Sequence, residues 1–103
     1  MKSKTVTIID YGMGNIGSLS NAFNYLGAKV KISSDPYKIE KSNIVILPGV
    51  GSFHKAMKII KKNSIDKAIY NIISRGDYLF CICLGMQLLA SGSFEDKFTK
   101  GLG

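Results

Sequence analysis

The chain of 103 residues is long enough for one domain or part of one, and its 46% apolar content is enough to bury a modest core. No apolar run approaches the roughly 20 residues that span a bilayer, and the charged start Met1–Lys4 has no apolar signal region. We therefore expect a cytoplasmic protein without a membrane segment. The net charge of +7 could indicate an acidic partner or a solvated surface, and the positions of the lysines decide between them.

The first predicted unit is a strand, a glycine turn and a helix. Thr5–Ile9 is rich in β-branched residues and predicts a strand that ends at Asp10. The turn spans residues 10–15, and Gly27 is a suitable residue to follow the end of the helix. The apolar positions with helical spacing are Ile16, Leu19, Ala22, Phe23 and Leu26.

Two further strands follow. Lys29–Ser33 alternates charged and apolar residues, which predicts a strand with one wet face near a sheet edge, ending at Asp35 and Pro36. The apolar run 43–47 predicts a central parallel strand covered on both faces, and it stops at Pro48.

Two amphipathic helices come next. The first carries the apolar residues Phe53, Ala56, Met57 and Ile60 and ends near Asn63. Ser64 can cap the second, which ends at Arg75 and Gly76. The lysines between the apolar positions are Lys55, Lys58, Lys61, Lys62 and Lys67. No aromatic residues interleave with them, so we expect a solvated face and no nucleic-acid partner.

The apolar run Tyr78–Ile82 predicts the next buried strand, and it leads into a helical pattern that begins at Leu84. Cys83 would lie at this junction, beside unpaired N–H groups and the positive end of the helix dipole, which favour a thiolate. The Leu84 N–H could then bind a developing oxyanion. Cys83 is therefore a candidate nucleophile.

The two cysteines are too close in sequence for an ordinary structural disulfide if both belong to one strand end. Cys81, Cys83 and the single histidine make no convincing zinc site, so no metal is predicted. We interpret Cys81 as a small buried hydrophobe rather than a resolving thiol.

Alternating strands and helices predict an α/β fold, a doubly wound and mostly parallel sheet with helices on both faces. Ligands gather at the carboxyl ends of such strands, so the glycine turn, the loop 48–51 and the Cys83 junction should share one edge. Residues 91–100 read as a polar loop. We expect 1–103 to be the N-terminal portion of a single, apparently truncated domain.

The glycine turns allow three interpretations. Gly12, Gly14 and Gly17 match the G-x-G-x-x-G pattern of dinucleotide sites, but Asp10 would put a carboxylate near the pyrophosphate. A sharp strand-to-helix turn alone would also explain these glycines. The alternative that uses every loop is acyl transfer with no cofactor. It also uses the loop glycines opposite Cys83, and Gln87 as a hydrogen-bonding residue one helical turn on.

Three segments carry a resemblance: Asp10–Asn15; Leu47–Phe53 with Ala56 and Met57; and Ile82–Leu88. Together they resemble the signature segments of class I glutamine amidotransferases. Within that family they are most similar to glutaminases that pass ammonia to a barrel-shaped synthase (cyclase) subunit in histidine biosynthesis. The resemblance implies a flavodoxin-like glutaminase domain.

The resemblance also implies roles for particular residues. Cys83 would attack the glutamine carboxamide and form a thioester, while Val50, Gly51 and the Leu84 N–H form the oxyanion hole. The substrate-binding residues would be Gly49 and Gln87, and Asn15 would face the partner subunit.

Two departures matter. The family usually has glycine where Cys81 stands, and its catalytic histidine and glutamate lie in a C-terminal half beyond these residues. His54 does not match that histidine, and we expect it to face solvent. We predict negligible turnover from this chain alone. The alternatives are a related subunit for nucleotide-sugar amination and a non-catalytic remnant that binds a partner.

Overall fold

The sheet is built from four parallel strands in the order β2-β1-β3-β4. The computed structural model describes residues 4–12, 14–49, 52–81, 88, 92–93 and 99–103. In chain order the elements are β1 Thr5–Ile9, α1 Ile16–Tyr25, β2 Lys29–Ser33, α2 Pro36–Glu40, β3 Ile44–Leu47, α3 Phe53–Lys62, α4 Ile65–Arg75, β4 Tyr78–Cys81, β5 Gly92–Ser93 and β6 Thr99–Lys100.

The strand positions confirm two expectations. β2 lies at one edge of the four-stranded sheet, as its alternating pattern indicated, and β3 lies between β1 and β4. Three of the four β3 residues are fully buried, Val45, Ile46 and Leu47. A continuous apolar run suits this position because a central parallel strand is covered on both faces.

Helices pack on both faces of the sheet, which confirms the doubly wound α/β architecture. One face carries the large cluster, a core formed by residues of β1 and β3 with α2, α3 and α4. The other face carries the small cluster, in which Val6, Ile8 and Ile46 pack against partly buried residues of α1. No residue of α1 is itself buried.

The amphipathic pattern of α3 is confirmed. Its buried residues are Phe53, Ala56, Met57 and Ile60, and its lysines are exposed. Ser52 begins the helix because its hydroxyl accepts a hydrogen bond from the Lys55 N–H at 3.4 Å.

The helix ends follow the sequence with one exception. Gly27 and Gly76 end α1 and α4 in the left-handed conformation, at φ 90° and 81°. Ser64 occupies the N-cap position of α4, but at φ 60° its side chain makes no capping hydrogen bond. Only Asn63 and Ser64 link α3 to α4, so the chain turns there through a left-handed residue instead of a conventional cap.

Two other expectations were incomplete. Asp35 and Pro36 end β2 but also start α2, since the Asp35 carboxylate accepts the Tyr37 N–H at 3.0 Å and proline favours the first turn. Residues 92–93 and 99–100 pair as antiparallel strands inside the predicted loop, where backbone pairing needs no apolar pattern.

The prediction that β4 is a buried strand was wrong for half of its side chains. Tyr78 is 66% exposed and Phe80 53% exposed. β4 is the outermost strand of the four-stranded sheet. These two side chains lie on the small-cluster face, where α1 packs against β1 and β2 instead. In the described part of the chain, no helix is long and apolar enough to cross a membrane.

Candidate active site

The carboxyl ends of three neighbouring strands meet at one edge of the sheet. Ile8 of β1 pairs with Ile46 of β3, and Leu47 of β3 pairs with Cys81 of β4, all in parallel register. Asp10, Pro48 and the end of β4 at Cys81 therefore lie side by side at this edge. This confirms the shared edge for the glycine turn and for Pro48 and Gly49, whereas the Cys83 junction lies outside the described residues.

The glycine turn is held by its own first residue. The Asp10 carboxylate accepts the Gly12 N–H at 3.2 Å, and the Asp10 N–H donates to the Ser33 carbonyl of β2 at 2.9 Å. Gly12 and Gly14 have φ values of +88° and +124°, which L side chains rarely adopt. The turn thus needs glycine at both positions for its backbone conformation alone.

Gly14 also lies against the neighbouring loop. A Cβ atom at this position would be 3.2 Å from the Pro48 Cβ and 3.4 Å from the Gly49 nitrogen. Close packing between two protein loops accounts for this glycine without a nucleotide. The Asp10 carboxylate lies within the same turn, where its charge would oppose a pyrophosphate.

Tyr11 links the two loops through a hydrogen bond that the sequence did not predict. Its side chain is 4% exposed, and its hydroxyl donates to the Pro48 carbonyl at 2.6 Å. Burial, with a smaller contribution from the nearby Cys81 thiol, raises the pKa of Tyr11 far above its ordinary value. A tyrosine two residues after a buried strand was the available signal, because buried hydroxyls need partners.

Cys81 is partly buried at the end of β4 and packs against the large cluster. Burial raises the pKa of its free thiol, so less of it is thiolate at neutral pH. Both observations favour its interpretation as a small hydrophobe.

The predicted site residues are divided between described and undescribed parts of the chain. Gly49 is buried beside Pro48, and Asn15 is exposed. The Asn15 side chain caps α1 by accepting the Ser18 N–H at 3.2 Å. The predicted nucleophile, oxyanion-hole residues and second substrate-binding residue lie outside the described residues: Cys83, Val50, Gly51, Leu84 and Gln87.

The chain beyond the predicted nucleophile returns to the large cluster. Leu88 is helical and fully buried, and its carbonyl accepts the Leu102 N–H at 2.8 Å. The Tyr70 hydroxyl of α4 donates to the Leu102 carbonyl. Leu102 is thus bonded to both Leu88 and α4, which holds Leu88 in the large cluster.

His54 and the residues lining a cavity beside β2 are not among the predicted site residues. His54 is partly buried on α3, so the expected solvent exposure holds only in part. Among the described residues, no group of three or more histidine, cysteine, aspartate or glutamate side chains could hold a metal. A cavity of about 700 Å³ lies beside β2. Its lining includes Lys31, Lys38 and Lys41 but no residue of the three segments that carry the family resemblance.

Solved structures share this fold. A putative peptidase E from Listeria monocytogenes EGD-e superposes with a TM-score of 0.81 at 16% identity, covering 99% of this chain and 63% of that one. A glutamine amidotransferase superposes with a TM-score of 0.79 at 22% identity, covering 95% and 51%. The fold class is thus a flavodoxin-like α/β domain.

Similar sequences identify the protein family. Residues 7–97 match the family model described as "Glutamine amidotransferase class-I", and the chain belongs to that family. Relatives named "Imidazole glycerol phosphate synthase subunit HisH" include one from Listeria monocytogenes serotype 4a, 45% identical over 95% of this chain and 47% of its own length. Another, from Halalkalibacterium halodurans, is 47% identical over 92% and 44%. The chain spans about half the length of these curated relatives.

Proposed function

We propose that the chain is the N-terminal portion of a glutaminase subunit that supplies ammonia for imidazole glycerol phosphate formation in histidine biosynthesis. The observation that carries this is the 45% identity, over 95% of the chain, to a relative named as a subunit of that synthase. The same name favours this function over amination of a nucleotide sugar. Glutamine is the substrate, and the partner is a separate barrel-shaped cyclase subunit with which the protein forms a cytoplasmic heterodimer.

The reaction proceeds in two steps. The Cys83 thiolate adds to the carboxamide carbon of glutamine, and the C–N bond breaks to leave a glutamyl thioester and ammonia once nitrogen has gained a proton. Water then cleaves the C–S bond, which gives glutamate and regenerates the thiol. The backbone of Val50 and Gly51 with the Leu84 N–H stabilises the oxyanion in both steps. Gly49 and Gln87 hold the substrate.

The described residues support the loop side of this site. The Gly49 backbone is buried between Gly14 and the end of β3, and β4 reaches the same sheet edge with Cys81, two residues before Cys83. Asn15 is exposed on the adjoining turn, which suits a residue of the partner interface. The exposed lysines of α3 suit a solvated surface, and the mechanism needs no nucleic acid, metal or cofactor.

Selective alkylation tests the nucleophile. A glutamine-analogue electrophile and, separately, iodoacetamide are reacted with the full chain, and the modified peptide is found by mass spectrometry. We expect Cys83 to react in preference to Cys81, because the N-terminus of the predicted helix would favour its thiolate whereas burial raises the pKa of Cys81. Excess glutamine should protect Cys83 from the analogue.

Two cysteine variants test whether Cys83 is the labelled residue. Cys83→Ala should abolish the analogue labelling, and Cys81→Ser should leave it in place. Equal labelling of both thiols, or labelling that glutamine does not reduce, would contradict the proposed site.

Turnover is expected to need more than these residues, since the family's catalytic base lies beyond them. We predict negligible glutamate release from the 103-residue chain, even with a cyclase subunit present. Release that is lost in Cys83→Ala would show this prediction to be wrong.

A further inference from the structure

The Pro48–Gly49 peptide lies where the chain leaves β3 for the proposed oxyanion loop. Pro48 is buried and has no N–H, so its carbonyl oxygen is the polar atom by which its backbone can be held. The Tyr11 hydroxyl donates to that oxygen at 2.6 Å. A planar trans peptide points its C=O and N–H in opposite directions, so the bond from Tyr11 directs the Gly49 N–H away from Tyr11.

A second contact holds the same peptide. The Cα of Gly14 lies so close that an added Cβ would be 3.4 Å from the Gly49 nitrogen and 3.2 Å from the Pro48 Cβ. The turn that follows β1 therefore restrains this peptide twice, through a hydrogen bond and through backbone packing. Rotation of the peptide would break the hydrogen bond, and a side chain at position 14 would push the two loops apart.

The hydrogen bond is protected from competition. Tyr11 belongs to the large cluster, together with Leu47 and Phe53, which flank the loop on either side in sequence. At 4% exposure its hydroxyl is screened from bulk water, and its raised pKa keeps the proton in place at neutral pH. A donor of this kind stays fixed while substrate enters and leaves.

We infer that Tyr11 is a positioning residue, which fixes the orientation of the Pro48–Gly49 peptide and thereby presents the loop backbone to the substrate. The catalytic part of this inference, the presentation of the loop to substrate, rests on the proposed function. The restraint that Tyr11 places on the Pro48–Gly49 peptide does not, so each claim can fail without the other.

The test compares two buried hydroxyls in the full chain. Tyr11→Phe removes the bond to Pro48 and keeps the ring. The control is Thr7→Val, which removes a hydroxyl that is 3% exposed and bonded to Ser42 at the same 2.6 Å, at the middle of β1. Amide hydrogen exchange is followed by mass spectrometry in a peptide covering residues 47–53 and in one covering α4.

We expect Tyr11→Phe to speed exchange in 47–53 by roughly tenfold, the effect of one buried hydrogen bond, and to leave α4 within about twofold. Thr7→Val should leave 47–53 at the wild-type rate. Unchanged exchange in 47–53, or an equal rise in both peptides of Tyr11→Phe, would overturn the inference, since the first denies the restraint and the second makes it merely structural.

A second readout tests whether Tyr11 affects the reactivity of Cys83 toward a glutamine analogue. The glutamine-analogue electrophile uses the oxyanion loop, whereas iodoacetamide alkylates Cys83 without it. Tyr11→Phe should lower the ratio of the two rate constants about fivefold to tenfold, and Thr7→Val should leave it unchanged. An unchanged ratio in Tyr11→Phe overturns the positioning role. If wild-type Cys83 shows no glutamine-protected labelling, the proposed function fails, and the exchange result still decides whether Tyr11 holds the loop.

Discussion

The two faces of the sheet differ in how completely they are covered. In the described part of the chain, fifteen buried residues form the large cluster, which three helices cover, and three buried residues form the small cluster under α1. The large cluster also reaches the carboxyl edge of the strands through Tyr11 and Leu88. The candidate active site is therefore supported by the better-packed face, which is where rigid positioning of a loop is physically available.

The largest expected effect comes from equivalent deletions on the two faces. Ile69 of α4 is fully buried in the large cluster, whereas Leu19 of α1 is partly buried against the small one. We expect Ile69→Ala to lower the free energy of unfolding by about 2–5 kcal/mol, the range for buried aliphatic side chains. Leu19→Ala should cost about 1 kcal/mol, because its site is already partly hydrated. Urea denaturation of both variants measures the difference.

Equal losses in these two variants would contradict the comparison. They would mean that the α1 face is as tightly packed as the α4 face, despite the absence of fully buried residues in α1.

A smaller difference is expected within β4, whose neighbouring side chains point to opposite faces. Leu79 packs against the large cluster, and Phe80, which is 53% exposed, lies on the other face. Leu79→Ala should cost about 2 kcal/mol. Phe80→Ala should cost about 0.5 kcal/mol, since its ring loses little burial.

Thermal denaturation of the two β4 variants ranks them directly. A larger loss from the aromatic residue would show that the small-cluster face of β4 is covered, and the proposed asymmetry of the sheet would be wrong.

The sequence predicted the elements that carry a strong apolar period. α3 and α4 each have several buried side chains at helical spacing, and β3 has the apolar run of an internal strand. It failed for α2, a single short turn with one buried residue, Ile39. It also placed β4 inside the core, because an apolar run reveals the type of element but not how many layers cover it.

Of the candidate site, the sheet edge that carries it was predictable from the sequence. Strand ends in parallel sheets share an edge, so the meeting of the glycine turn and the Pro48 loop followed from the pattern alone. The Tyr11 bond to the Pro48 carbonyl did not, since it joins residues 37 apart and depends on the exact position of two loops. The Gly14 contact with Pro48 was missed for the same reason.

The smallest expected effect is a pH dependence that belongs to the large-cluster face. The pKa of Tyr11 is raised in the folded chain, so above about pH 10 the unfolded chain loses this proton while the folded chain keeps it. Stability from this group is therefore complete below about pH 10 and falls as the pH rises toward the folded pKa. Between pH 9 and 11, the stability of the wild type relative to Tyr11→Phe should fall by about 1 kcal/mol. Guanidinium titrations of both proteins measure this, with the other tyrosines and lysines cancelling in the difference; a constant difference would place the Tyr11 hydroxyl in water rather than in the core.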